Sequence, residues 1–452
     1  MIRAKKITIM QIMHSIDCTN RIVVNFCKGM NRELFDTKVV GQGTVRTKEK
    51  DLSDIGIEYI VANSDIDVIV AAMKRWHIDV IHMHRSGHYD PLQYEIYRRA
   101  KEWNPNIIIL ETNFFGKFDP KSYPLIDCSL QVSKMMLHER YLKALGQFSP
   151  TDGSATGWDF HNTKILYHPI DCTGWDRIAI RDSEVREFKE RLGIRDGDIV
   201  IGKLCRPAVE KWSDLLLDML PYLVKYVPNV KMIVQEMPES RKKRIRYNRY
   251  KDHIILRKAT IDDREVALFY KTIDIYVHSS KIGESFGMTL AEAGVFRKPV
   301  VINSTPRRDN NQLEMIEHMK TGIIANHPQT FARAVALLCR DQALRVRMGE
   351  AGRAKVARMY DPRRTAEQLE KIIVEKMAEK KLPIDPVVVE HYGKIDYFPT
   401  EAEIRAYPQE YTKRCAEEFS ALTRIECCVN YLRIPKKMYL KIRDFLEHRF
   451  GM

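Results

Sequence analysis

No apolar run in the 452 residues approaches the ~20 that a membrane-spanning helix needs, which excludes a helical membrane span from the reading. No C-x-x-C pair occurs among the nine cysteines, which excludes a zinc knuckle or dithiol redox motif. Their odd number and scatter fit a reducing, cytoplasmic compartment. No internal repeat or low-complexity tract is present, which excludes a repeat architecture. The N-terminal "MIRAKKITIMQIMHS" resembles a leader, with basic residues before an apolar run. Gln11 and His14 interrupt that run and no clean small-residue cleavage site follows, so a buried first strand is expected instead. What is present is ordinary globular material, 44% hydrophobic and 30% charged, in a chain too long for a single core. The net charge of +14 attracts nucleic acid, anionic lipid or phosphorylated substrates alike, and does not choose among them.

Short apolar runs alternate with helix-like segments in the first part of the chain. "KITIMQIMHS", "IDVIHMHRS", "NIIILETNFF" and "DCSLQVS" read as strands; "NRIVVNFCKGM", "DVIVAAMKRW" and "LQYEIYRRAKEW" read as helices. A polar loop, Ser149 to Lys164, precedes a short strand in "ILYHPID" and a helix in "DSEVREFKERLGI" with Ser183 as the expected cap. The alternation then restarts with "DIVIGKLC", "VKMIVQE", "HIILRK", "IDIYVHSS", "KPVVINS" and "GIIAN" as strands. "SDLLLDMLPYLVKYV" reads as a helix, and Pro328 to Tyr360 as helix broken near Asp341. This pattern gives an α/β fold, two doubly wound Rossmann-like domains in tandem with an extension. The expected divisions are 1–171, 172–370 and 371–452.

The chemistry concentrates in "KIGESFGMTLAEAGVFRKPVV", Lys281 to Val301, expected to be loop, helix and strand. The start of a helix offers unpaired N–H groups and a positive dipole end, which suits phosphate. Gly287 lets backbone approach a ligand. Glu284 would stand before this helix and Glu292 about one turn inside it, flanking the phosphate site. Carboxylates are acceptor-only and sugars offer paired hydroxyls, so the arrangement suits a nucleotide-sugar. Glu284 and Glu292 could also be solvated helix-entry charges, or a glycosidase acid and nucleophile. Their placement around a phosphate-binding helix end argues against the glycosidase reading.

The stretch resembles the E-x7-E signature of family 4 glycosyltransferases, retaining enzymes of GT-B fold. The similarity continues through "IVIGKLCRPAVEKWSDLL", "ILYHPID", "TIDIYVHSS" and "DNNQLEMIEHMKTGIIA", in the family's order over residues 165–360. The resemblance implies a metal-independent hexosyltransferase with no cofactor besides its donor. It would move a sugar from a nucleotide-diphosphate sugar to a glycan, lipid-linked or other hydroxyl acceptor. Glu284 would contact the donor sugar and Glu292 the ribose hydroxyls. Arg206 and Lys211 would neutralise the diphosphate, with Lys203 beside them. Ser285, Phe286, Gly287, Met288 and Thr289 would meet sugar and phosphate. The first domain would bind the acceptor through His14, Asn20, His84 and Asn113. Where members carry a Gly-Gly loop this chain has Cys18-Thr19-Asn20, and where many carry a histidine it has Thr112-Asn113.

Other features have plainer readings. His82, His84 and His88 imitate a metal cluster, but strand alternation places His82 and His84 on one face, so a core or acceptor-side role is expected. Asp65 to Asp67 reads D-x-D, yet stands at a helix start, where capping explains it. Arg241 to Lys251, "RKKRIRYNRYK", resembles a nucleic-acid patch, but a solvated helix face is the expectation and nucleic acid is not an expected partner. The closing helix carries Met438, Leu440, Ile442, Phe445, Leu446 and Phe450 among basic residues. It would brace the first domain, or lie on an anionic membrane beside a lipid-linked acceptor. Two other classes remain: a GT-B-like protein without activity, and a basic nucleic-acid or membrane-surface binding protein.

Overall fold

The computed structural model describes residues 6–16, 21–145, 159–246, 249–306 and 308–419. The chain forms two compact units. One runs to Asp171 and includes Met359–Pro408; the other is Cys172–Arg358 with the residues from Gln409. The helix Pro362–Glu379, which the sequence places across the end of the second domain, thus groups with the first unit. The closing basic helix lies outside the described residues.

The first unit is built on seven parallel strands: β1 (Ile7–Met13), β2 (Phe35–Gly41), β3 (Glu58–Val61), β4 (Val80–Arg85), β5 (Ile108–Asn113), β6 (Cys128–Gln131) and β7 (Thr163–Ile165). Their order is β3-β2-β1-β4-β5-β6-β7. β1, β4 and β5 are buried at every position, the mark of strands covered on both faces. One face packs Met10, Ile81 and Met83 against Ile69, Met73, Ile96 and Tyr97 of two helices. The helix Arg21–Gly29 approaches the helix Pro362–Glu379 so closely that a Cβ on Gly29 would lie 2.0 Å from the Pro362 carbonyl oxygen. Only glycine fits there. The segment that follows also belongs to this unit: the Tyr392 hydroxyl donates to Glu370 at 2.7 Å, and His138 Nε2 meets the Ile404 carbonyl at 2.8 Å.

The second unit has six parallel strands: β8 (Ile199–Leu204), β9 (Val230–Gln235), β10 (Ile254–Arg257), β11 (Ile275–His278), β12 (Val300–Ile302) and β13 (Gly322–Ile324). The order is β10-β9-β8-β11-β12-β13. Ile201, Met232, Val234, Ile275, Val277 and Val301 face Leu220, Leu223, Phe331 and Val335 of the covering helices. In both sheets the order reverses at one place, between β1 and β4 and between β8 and β11. Crevices at the carboxyl ends of such strands are where open α/β sheets bind ligands.

Two local expectations need correction. Ser183 does not cap its helix: the helix begins at Asp182, with Arg181 at the cap position and its N–H bonded to Glu184. "SDLLLDMLPYLVKYV" forms two short helices, Leu215–Asp218 and Leu220–Tyr226, because Pro221 sits in the first turn of the second. The stretch from Glu379 contains the helices Pro386–Gly393 and Glu401–Cys415. Asp65 does cap its helix, accepting from the Asp67 and Val68 N–H groups at 2.8 and 3.4 Å. Among the described residues, no helix is long and apolar enough to cross a membrane.

Candidate active site

At the reversal point of the second sheet, β8 runs out through Lys203 and Leu204 while β11 ends on His278. The loop after β11 then turns into the helix Met288–Val295. Gly283 has φ +71°, and a Cβ on it would lie 1.5 Å from the Asp309 carbonyl oxygen, so the loop closes on its neighbour only with glycine there. That neighbouring segment pins the loop. Glu284 N donates to Gln312 Oε1 at 3.1 Å, Asn311 N donates to Glu284 O at 2.9 Å, and Asn311 Nδ2 donates to Phe286 O at 2.7 Å. Gly287, with φ +100°, starts the helix without a capping side chain. Leu290 N already bonds Gly287 O at 2.9 Å, so the open donors of this first turn are the N–H groups of Met288 and Thr289.

Glu284 is held from two sides. Its Oε2 lies 2.9 Å from Lys211 Nζ, and its Oε1 lies 3.2 Å from His278 Nε2. Burial by itself would raise this carboxyl; the His278 ring and the Lys211 ammonium outweigh it and hold the group down at about 2. Burial, with Lys203 nearby, lowers His278 to about 4. The ring is thus neutral at pH 7 and lies against Glu284 without a well-aligned hydrogen bond, while Lys211 supplies the charge. Lys211 Nζ also donates to the Gly283 carbonyl at 3.0 Å. Two of its three donors are used, and one remains.

Glu292 is 5% exposed, and its Oε2 accepts from the Tyr270 hydroxyl at 3.1 Å. The Tyr270 ring stacks on Phe296 at 5.1 Å and 7°. Arg206 is exposed and, among the described residues, pairs with no carboxylate. Lys203 is fully buried. Its ammonium donates to the Ser279 carbonyl at 2.8 Å and stands 4.7 Å over the Trp212 ring, with burial pushing its pKa down. It is a floor beneath the site. Ser285, Met288 and Thr289 are half-buried along the loop and helix start, while the Phe286 side chain turns inward. The structure thus brings Lys203, Lys211 and residues 284–292 together. His278, Asn311 and Gln312 lie within stretches that carry the resemblance and Tyr270 lies outside them, but none was singled out as a site residue by the sequence. A histidine closing a strand at the reversal point is the one cue that could have found His278.

The residues expected on the acceptor side behave differently. His14 is exposed after β1. His84 is buried, with Nε2 2.8 Å from Gln11 Oε1. Asn113 is buried and spends its amide on its own loop, donating to Lys117 O at 2.7 Å. Asn20 lies outside the described residues. His82 bonds Thr112 at 2.7 Å, and among the described residues no three His, Cys, Asp or Glu side chains gather as a ligand set. The basic helix Glu239–Arg246 is a salt-bridged face: Arg241 meets Asp214 at 2.5 Å, Arg244 meets Asp218 at 2.9 Å and Lys242 meets Glu239 at 2.7 Å.

Residues 184–355 match the model of the family described as glycosyl transferases group 1. That segment holds every donor-side residue named above. YtcC of Bacillus subtilis (strain 168), whose name marks it as a glycosyltransferase, is 23% identical over 240 residues, covering 50% of this chain and 57% of that protein. The chain therefore spans little more than half the length of this curated relative. A glycosyltransferase from Rickettsia africae ESF-5 superposes with a TM-score of 0.65 at 18% identity, covering 82% of this chain and 99% of that one. Anabaena Alr3699/HepE, in complex with UDP and glucose, gives 0.62 at 14% identity over 82% of this chain and all of that one. The fold is GT-B, two Rossmann-like units on parallel sheets.

Proposed function

We propose that the protein is a retaining glycosyltransferase that moves a sugar from a nucleotide-diphosphate sugar to a glycan, lipid-linked or other hydroxyl acceptor, without a metal. The observation that carries this reading is the ionised Glu284, clamped between Lys211 and His278 beside an uncapped helix start. A carboxyl held at about 2 accepts hydrogen bonds from sugar hydroxyls at any physiological pH and cannot donate a proton. A glycosidase acid needs the opposite, a raised pKa. The last free donor of Lys211, the exposed Arg206 and the helix N–H groups supply positive charge for the departing diphosphate. As the anomeric carbon–oxygen bond to phosphate breaks, the acceptor oxygen bonds on the same face and its proton passes to the leaving phosphate. The similarity of residues 184–355 to the group 1 glycosyl transferases supports the donor side, as does the UDP in the HepE complex.

The test is a panel of nucleotide-diphosphate sugars in excess chelator. One donor is expected to raise Tm, since a ligand at about 100 times its Kd adds about 2.7 kcal/mol. The same donor should support transfer. Stabilisation by no donor would overturn the reading, and complete loss of transfer on chelation, restored by manganese, would overturn its metal-free form.

Glu292→Ala should weaken donor binding by about 10–100-fold with turnover at saturation largely kept, because it removes a charged acceptor for the ribose hydroxyls. Tyr270→Phe removes one hydrogen bond that orients this carboxylate and should cost roughly fivefold. Calorimetric titration of the donor checks both. Unchanged affinity in Glu292→Ala would move the ribose elsewhere.

A further inference from the structure

The loop that carries Glu284 takes its shape from residues 309–315, which meet it at successive places. A Cβ on Gly283 would lie 1.5 Å from the Asp309 carbonyl oxygen, and one on Gly287 would lie 3.2 Å from Met315 Sδ. Between these points Gln312 accepts the Glu284 N–H, and Asn311 donates to the Glu284 and Phe286 carbonyls. The segment 309–315 is itself held by residues that follow Gln409 and belong to the same unit. The buried Tyr411 hydroxyl accepts from Asn310 Nδ2 at 3.0 Å, and Cys415 Sγ lies 3.8 Å from the same nitrogen. Asn310 is fully buried, and its Oδ1 accepts the Thr305 N–H at 2.8 Å. The Thr305 hydroxyl accepts from Gln312 Nε2 at 2.8 Å, which ties Asn310 to the residue that holds Glu284. Beyond Asn310 the helix Gln312–Met315 has four residues and no side-chain cap. A helix so short has little stability of its own and leaves its last carbonyls without helical partners. Arg414 and Lys355 serve those of Leu313 and Glu314, each at 2.7 Å. Glu410, one turn before Arg414, meets the other guanidinium nitrogen at 2.6 Å and fixes its direction. Phe419 N then donates to the Ile324 carbonyl at 3.1 Å, which anchors this stretch at the end of β13.

We propose that Tyr411 and Arg414 are positioning residues for the donor loop. They hold residues 310–313, and that segment holds Gly283 to Gly287 in the form that presents Glu284 and the helix start. Side chains that meet a ligand keep their geometry only where a second layer of contacts fixes them. That the held loop binds a donor rests on the transferase reading; that Tyr411 and Arg414 hold the loop does not.

Hydrogen exchange on the full chain reads the loop directly. The Glu284 and Asn311 N–H groups are bonded across it, so they exchange when it opens. Tyr411→Phe keeps the ring and removes the acceptor for Asn310. It should speed exchange at both groups roughly fivefold, the worth of one hydrogen bond. Arg414→Met removes a charged donor and should speed exchange roughly tenfold. Arg414→Lys, which keeps a charged donor, should return most of the protection. Lys413→Met makes the same charge change on an exposed neighbour and should exchange as the wild type does. The amides of β9 should be unmoved in every variant. The second readout is calorimetric titration with the nucleotide-diphosphate sugar that stabilises the wild type. Its affinity scales with the fraction of molecules whose loop is in place, so Tyr411→Phe/Arg414→Met should raise its Kd about tenfold, with turnover at saturation kept. If Arg414→Met fails to fold, Tyr411→Phe decides by exchange and by Kd. Unchanged exchange at Glu284 and Asn311, or exchange quickened equally throughout the unit, would overturn the proposal. So would an unchanged Kd in a variant whose loop exchanges faster. A wild type that takes no nucleotide-sugar would sink the transferase reading instead, and exchange at Glu284 would then decide the clamp alone.

Discussion

Glu284→Gln is expected to lower transfer turnover by about 10²–10³ while the donor still binds, the typical loss when one preorganised charge partner leaves a transferase site. The substitution keeps size and shape and removes one charge. Lys211 and Glu284 are 12% and 13% exposed, so the variant also strands a half-desolvated ammonium. Breaking a buried pair by removing one partner costs about 3–5 kcal/mol, and the residual exposure brings the expected loss to the lower part of that range or below. Stability and activity are therefore expected to fall together, and one variant cannot separate them. The double variant Glu284→Gln/Lys211→Met can. Removing both charges restores stability towards the wild type, because no unpaired ion remains, yet turnover stays low because both groups serve the donor. Denaturant unfolding and single-turnover transfer on the two variants check this. Full turnover in Glu284→Gln would remove Glu284 from the site chemistry. Recovery of turnover in the double variant would mean that the pair serves only the fold.

The parts of this site differ in how readable they are, for physical reasons. A helix start after a glycine-bearing loop is local, so Glu284, Gly287 and Glu292 stand out from a few residues of sequence. The partner of Glu284 is not local: Lys211 is 73 residues away and meets it because β8 and β11 are adjacent at the sheet's reversal. Lys203 illustrates the converse. It follows a glycine on a strand and reads as a phosphate ligand, but strand alternation turns it under the site onto Trp212. In the fold, β4, β5, β8 and β9 are legible because apolar residues occupy both faces with few polar interruptions, as expected of strands covered on both sides. β2 and β3 were not read as strands. β2 carries Asp36 and Lys38 on its half-buried face, and β3 is the edge of the sheet with Glu58 at its start. Lys38 bridges Asp36 and Glu58 at 3.1 Å each, so charges that interrupt the apolar pattern are satisfied across neighbouring strands. The segment after Glu379 hides for a similar reason. Its tyrosines do not repeat at a helical period; two of them find particular acceptors, Tyr392 on Glu370 and Tyr397 on Glu375.

The buried histidines of the first unit lead to the second large effect, an acid sensitivity confined to that unit. His82, His84, His138 and His168 are all at most 4% exposed. Burial lowers His84 and His168 to about 3 and His138 to about 4, and it lowers His82 further with help from His84 and His168. In the unfolded chain each titrates near 6.5. Above that value neither state binds the proton and the fold keeps its full stability. As pH falls below 6.5 the unfolded chain takes up protons that the folded rings refuse, so stability declines until the folded values are reached. Each ring contributes a loss of about 2 kcal/mol at pH 5, and four together about 8 kcal/mol, comparable with the whole stability of a typical domain at ~5–15 kcal/mol. The strongly depressed carboxylates, Glu284 and Glu317 at about 2, act in a lower window: their stabilisation is complete above about 4.5 and is lost only beneath it. Between pH 6.5 and 5 the histidines therefore dominate. Denaturant titrations at pH 7, 6 and 5 should show the transition of the first unit moving steeply to lower denaturant. The transition of the second unit, which carries the buried His278 at about 4, should move by roughly a quarter as much. His84→Gln, which keeps a polar partner for Gln11, should reduce the pH slope of the first transition by about one proton. A slope that is the same for both units, or that His84→Gln leaves untouched, would show that these rings are protonated in the folded chain and that water reaches them.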